Sequence, residues 1–332
     1  MYYFLGISLF LASLLVLNFF ISLASSLIWN RAENFLQNWS PQKRKQVIFV
    51  IRVFPFLAAL VFVLAFLLPA YLLFEPHSPD ETVSAKIAVP ALLSLFGIGF
   101  ALFRVFGTWR RTRLLLGDWL EHSEKMEVKD VSVPVYRLEH PFPVLAVVGT
   151  FRPKMFIAKQ IFDTLSDEEF AAAIRHEVGH LAEHDNLKRT LMRVCRDLLV
   201  FPMGKKLERA WAENAEIAAD EYAAKAGGNP VAINLASALV KIARIVPPDT
   251  APAMPLGAFF IEKNEADITL RVRRLLQIAG NVAALRTKSN EIKIFHRFVL
   301  AAGCGAILFL ATNSYFLFKV YTVLEKIVGI LQ

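Results

Sequence analysis

Two cysteines in 332 residues are too few for a disulfide framework. Cys195 lies in a polar stretch and Cys304 inside an apolar run, so pairing between them is excluded. Cys195 reads as a buried thiol and Cys304 as a small residue at lipid depth. Charge is absent from the first 30 residues. With no Lys or Arg ahead of the apolar run, and a run too long for a cleaved leader, a retained helix is expected there. A net charge of +8 would suit nucleic acid, but no polar segment has a basic stripe with interleaved stacking aromatics, so that partner is not expected. Internal repeats, low-complexity tracts and long flexible linkers are also missing. What the chain has in excess is apolar surface. Hydrophobic residues make up 55%, 28 of them phenylalanine, and mean hydropathy is +0.45. Part of that surface must face lipid.

A membrane-crossing helix needs about 20 mainly apolar residues. Four stretches qualify, at about 3–29, 47–74 and 87–107, and from Phe298 to Phe318. Arg52 and Arg104 interrupt the second and third, and the third is the shortest uncharged run. Trp29, Tyr71, Trp109 and Tyr321 stand at the ends, as interfacial aromatics do. Arg31, Lys43, Arg44 and Lys45 follow the first span, and Arg110, Arg111 and Arg113 follow the third. The connection around Asp80-Glu81 is acidic, and Lys293 and Arg297 precede the fourth span. Basic connections stay inside, which predicts a polytopic helical protein with three spans in 1–109, a cytoplasmic domain in 110–296, and a fourth span with a short amphipathic tail in 297–332.

The inserted domain reads as α+β, mainly helical with a small sheet. Val133–Leu138, Val144–Val148 and Lys154–Ala158 are strand-like. Ser166-Asp-Glu-Glu169 is a capping box that opens a helix running through Leu181. Further helices are expected at about 187–200, at 205–225 up to Gly227-Gly228, at 230–245 and at 265–280.

The helix after the capping box carries His176-Glu-Val-Gly-His180, an HExxH arrangement. Residues four apart share a helix face, so both imidazoles reach one tetrahedral zinc. Glu177, on the flank of that face, is placed to activate the attacking water. Downstream, Glu216-Ile-Ala-Ala-Asp220 puts two carboxylates four apart on another helix. Glu216 completes a two-histidine, one-glutamate set, and Asp220, one turn on, accepts a hydrogen bond from a ligand imidazole and fixes its tautomer. Glu213 is the rival third ligand. His184 continues the histidine row, but each step of four residues drifts about 40° around a helix, so a third imidazole would miss the metal. Asp185 either braces the end of the zinc helix or is solvated. His77, His122, His140 and His296 are assigned no role.

The stretch Gly149-Thr-Phe-Arg-Pro153, Leu165-Ser-Asp-Glu-Glu169, His176-Glu-Val-Gly-His180, Asp185-Asn-Leu187, Phe201-Pro202 and Glu216-x-x-Ala-Asp220 resembles the BlaR/MecR-type antirepressor metallopeptidases. It is similar, more loosely, to the HtpX-like membrane peptidases. The resemblance covers about 140–280 and implies a gluzincin with one zinc, held by His176, His180 and Glu216. It further implies Glu177 as base, a protein or peptide substrate, and a place in a bacterial cytoplasmic membrane. Three spans before the domain and one after match the BlaR type better. Arg271-Val272-x-x-Leu275 is similar to a further family element, which implies that Arg271 stabilises an oxyanion. Two features depart from the BlaR type: Lys159 stands where that type usually has Pro, and nothing resembling a penicillin-binding sensor follows the fourth span. The expected function is therefore regulatory or quality-control proteolysis without a recognisable sensor. The strands ahead of the zinc helix offer an edge for an extended substrate. A weakly active signalling scaffold is the alternative, and the intact Glu177 argues against it. A transporter is disfavoured because no span carries paired intramembrane charges.

Overall fold

The computed structural model describes residues 2–36, 38–76, 83–199, 205–246, 265–280 and 303–331. His77, Asp80-Glu81, Phe201-Pro202, Lys293, His296, Arg297 and the start of the expected fourth span at Phe298 lie outside the described residues. The first helix, α1 (Tyr2–Leu36), is longer than the sequence reading suggests. It is followed by α2 (Pro41–Phe62), a π-helical turn (Val63–Leu67) and α3 (Leu68–Phe74), which together form one rod. Pro69 explains the wider turn, since it offers no N–H to the preceding turn and its ring crowds the carbonyl four residues back. α4 (Ala85–Glu121) runs unbroken through Arg104. These three rods are each long and apolar enough to cross a membrane.

The fourth span is not clearly formed. α10 (Gly303–Thr312) and α11 (Ser314–Leu331) are bent by 77° at Asn313, so they make a crossing only if the bent pair counts as one. Asn313 accepts from the backbone N–H of Phe316, starting a new helix instead of continuing the old one. Hydropathy does not register that local hydrogen bond. The apolar side of α11 instead packs on α3, burying Leu317 and Tyr321 beside Ala70.

The sheet has the order β1-β2-β4-β3, with β1 (Ser123–Met126), β2 (Val135–Leu138), β3 (Leu145–Val148) and β4 (Lys154–Ala158). β2 and β4 run parallel, while β1 and β3 are antiparallel to their neighbours. β1 is the strand that pattern reading missed. Its Ser-Glu-Lys-Met sequence is polar and only half-buried, as an edge strand tolerates. β3 and β4 are almost wholly buried under a core built with Ile161, Leu165, Ala172 and Ala173.

Helices α5 (Lys159–Thr164), α6 (Asp167–Ala182), α7 (Asp185–Asp197), α8 (Lys205–Ile245) and α9 (Glu265–Gly280) complete the described domain. α8 is two helices joined at Gly228, whose φ of 74° suits glycine. The first half packs against α6 and α2. The second half adds Leu235, Leu239 and Ile242 to the core under the sheet.

A separate core joins the membrane rods to this domain. Trp29, Ile48 and Val53 from α1 and α2 are buried with Met192 and Cys195 of α7 and with Leu207, Trp211 and Ala215 of α8. Cys195 is buried, as expected, and burial pushes its thiol up to about 11. The helix that carries Glu216 therefore rests directly on the membrane arm.

Candidate metal centre

The capping box forms as expected. Ser166 Oγ accepts from the Glu169 N–H, and Glu169 Oε2 accepts from the Ser166 N–H at 2.9 Å. Glu169 also accepts from Ser237 at 2.6 Å and Lys241 at 2.7 Å, tying the start of α6 to the second half of α8. α6 thus enters the domain at a fixed angle, and one of its faces meets the first half of α8. At that contact His176 and Glu177 are buried, while the side chains of His180 and Glu216 keep 10% and 14% of their exposure. The site opens on the side of His180 and Glu216.

Three groups converge. His176 Nε2 is 3.2 Å from His180 Nε2, and each is 3.5 Å from an oxygen of Glu216. The two distances run to different Glu216 oxygens; one ligand atom from each residue lies within 4.8 Å of the others, so modest side-chain adjustment would bring them to the spacing of about 3.3 Å that a tetrahedral zinc sets. Among the described residues it is the one group of His, Cys, Asp or Glu arranged to hold a metal. Glu213 is exposed and His184 is exposed, and neither joins it.

Each imidazole is held from behind. His176 Nδ1 lies 2.8 Å from Asp220 Oδ1, and His180 Nδ1 lies 2.8 Å from Asp185 Oδ2. A proton on each Nδ1 leaves both Nε2 lone pairs directed at the metal position. Arg271 donates to Asp220 through Nε and Nη2, both at 2.8 Å, and its Nη1 is 3.3 Å from Glu216 Oε2. The resemblance assigns Arg271 to an oxyanion. In the structure three of its nitrogens face the carboxylates that hold or orient the metal ligands, so its geometry is that of a brace.

Charge in the metal-free site follows this layout. Burial works to lower both histidines, but Asp220 and Glu216 raise His176, while Glu216 and Asp185 push His180 up to about 10. Burial would raise Asp220, yet the Arg271 guanidinium holds it down at about 2. Glu216 stays well below the usual carboxylate range despite its burial, chiefly because of His180. Glu177 goes the other way: burial lifts it to about 7, against the pull of His176 and His180. A carboxyl poised near neutrality beside a cation site is suited to proton transfer.

Asp185 is reached through a tight corner. α6 ends at Ala182, and His184 takes a left-handed φ of 54° that turns the chain back under His180. A residue weighed as the third histidine of the row is thus the hinge that delivers Asp185. Asp185 also meets Lys45, whose Nζ is 2.9 Å from Oδ1. Sequence reasoning placed Lys45 only among the basic residues that orient the membrane helices. No signal in the local pattern ties it to a histidine 135 positions away or more, because the contact depends on how α2 docks on the domain.

A membrane-length helical arm carrying an α+β domain with a two-histidine, one-glutamate group defines a membrane-associated protein with a metal-binding centre. Residues 146–265 match the model of Peptidase family M48, which implies a metallopeptidase domain and is consistent with the group as its metal site. The matched segment holds β3, β4, the HExxH helix and α8, and so all three members of the metal group. The match supports the membrane zinc metallopeptidases as a class without singling out the BlaR/MecR or HtpX-like type. No curated protein matches the chain.

Proposed function

We propose that this protein is a membrane-anchored, zinc-dependent endopeptidase that hydrolyses peptide bonds of cytoplasmic or membrane proteins in regulatory or quality-control proteolysis. The observation that carries this reading is the convergence of His176, His180 and Glu216 within a segment matching a metallopeptidase family. These three residues would hold the ion, which would supply a water of lowered pKa and polarise the scissile carbonyl. Glu177 takes the proton of the attacking water and returns it to the leaving amine. Asp220 and Asp185 fix the tautomers of His176 and His180, and Arg271 keeps Asp220 and Glu216 in place. The strands ahead of the zinc helix offer a sheet edge on which an extended peptide would pair. The domain within residues 110–296 faces the cytoplasm, as the basic connections favour.

The test is hydrolysis of an unfolded protein by the purified full-length chain, with and without a chelator. Glu177→Gln should abolish cleavage while retaining one zinc per chain, and His176→Ala should lose both. A zinc-loaded wild type that cuts nothing would leave a signalling scaffold as the better reading. Full activity of the Glu177 variant would rule out the mechanism.

A further inference from the structure

The two histidines are supported in parallel ways. Behind His176 stands Asp220, clamped by the buried cation Arg271. Behind His180 stands Asp185, clamped by the buried cation Lys45. Arg271 comes from α9, just past the end of the family match, whereas Lys45 comes from the start of α2, 140 residues before its partner and well ahead of the family match.

Lys45 is not a surface ion pair. Its Nζ lies 2.9 and 3.1 Å from the two oxygens of Asp185, and the side chains are 2% and 4% exposed. Lysine is almost never buried this far without a dedicated partner. Removing one member of a buried pair strands the other charge, which then moves or changes its partner. Asp185 has little freedom to do so without consequence, since Oδ2 also holds His180 Nδ1 at 2.8 Å.

We propose that Lys45 is a positioning residue for the metal site: by fixing Asp185 it orients His180, so that the membrane arm completes a centre whose ligands all belong to the peptidase domain. This rests on the metal site proposed above. Movement of α2 relative to the α6–α7 corner then changes the metal geometry directly. A merely structural pair would staple α2 to the domain and leave the metal untouched.

The experiment compares full-length wild type, Lys45→Met, Asp185→Asn and the double variant, all in lipid nanodiscs. Zinc affinity is read by competition with a chromophoric chelator, and ligand geometry by the visible spectrum after Co2+ substitution. Lys45→Met should weaken zinc binding about 10–100-fold, the loss usual when a ligand's outer support is removed, and should alter the Co2+ spectrum. In the Asp185→Asn background it should add little, because the effect passes through Asp185. Lys45→Gln, which keeps a hydrogen bond to Asp185, should fall between wild type and Lys45→Met and carries the test if the Met variant does not fold. Thermal destabilisation by Lys45→Met or Lys45→Gln with zinc affinity and spectrum unchanged would overturn the proposal, as would additive losses in the double variant. A wild type that holds no zinc would instead overturn the metal site and this proposal together.

Discussion

Gly179 sits between the two histidines of α6, where the helix meets α8 most closely. A Cβ at that position would lie 3.2 Å from Tyr222 Cδ1 and 3.3 Å from Ala219 Cα. Tyr222 is 41% exposed and its ring can swing away, but its Cβ, 3.3 Å off, moves only with the backbone. Ala219 offers backbone, so Gly179→Ala must part α6 from α8 by a few tenths of an ångström. Glu216 lies one turn before Ala219, and the same displacement carries it away from His176 and His180. Zinc sites accept deviations of only about 0.2 Å in ligand distance. For stability, two terms oppose each other. Overpacking costs about 1–3 kcal/mol, and replacing a mid-helix glycine by alanine returns about 1 kcal/mol. The net loss is therefore small, about 0–2 kcal/mol. The metal should report the change more sharply, with zinc affinity falling on the order of tenfold. Gly117→Ala is the control, since its Cβ meets nothing within 4 Å. It should keep zinc affinity and raise the melting temperature slightly. Chelator competition and thermal unfolding of both variants decide the matter. If Gly179→Ala behaves like Gly117→Ala in both assays, close approach of α6 and α8 does not set the metal geometry.

Four further outcomes are expected. Glu216→Ala should lower zinc occupancy far more than Glu213→Ala or His184→Ala; equal loss from Glu213→Ala would move the ligand role. Arg271→Ala should weaken zinc affinity as Asp220→Ala does, by about 10–100-fold, whereas a lowered rate with zinc affinity intact would restore the oxyanion role. Without metal, the neighbouring carboxylates raise both histidines, His180 to about 10, so His180 binds a second proton at neutral pH that zinc must displace. Zinc affinity should therefore rise with pH from acid through neutrality, by about tenfold per unit for each proton released. Calorimetry in buffers of different ionisation enthalpy measures that release, and binding without it would contradict the charge layout. In a cysteine-free background, Ser78→Cys should react with an impermeant thiol reagent in intact cells and Lys129→Cys only after permeabilisation. Labelling of residue 129 in intact cells would place the catalytic domain outside.

Much of the architecture was legible because it follows from local rules. The capping box at Ser166-Asp-Glu-Glu169, the helical break at Gly227-Gly228 and the helix over 265–280 all form where pattern and turn chemistry predict. The pairing of His176 with His180 needs only a helix, and Glu216 with Asp220 only a second one. β1 escaped because a polar edge strand carries no alternation to detect. The break at Asn313 escaped because a single side-chain hydrogen bond, invisible to a hydropathy window, redirects the chain.

Sequence alone singled out the candidate metal and proton-transfer residues, since identity and helical spacing decide whether side chains share a face. Tertiary structure decided how those residues are held. Asp185 becomes a partner of His180 only through the left-handed corner at His184, and Arg271 becomes a brace only because α9 lies against α8. Lys45, one of several basic residues flanking a membrane helix, becomes part of the centre because α2 and the α6–α7 corner bury it against Asp185. That last contact joins residues 140 positions apart, and its energy depends on desolvation and geometry that exist only once the core between the membrane arm and α8 has formed.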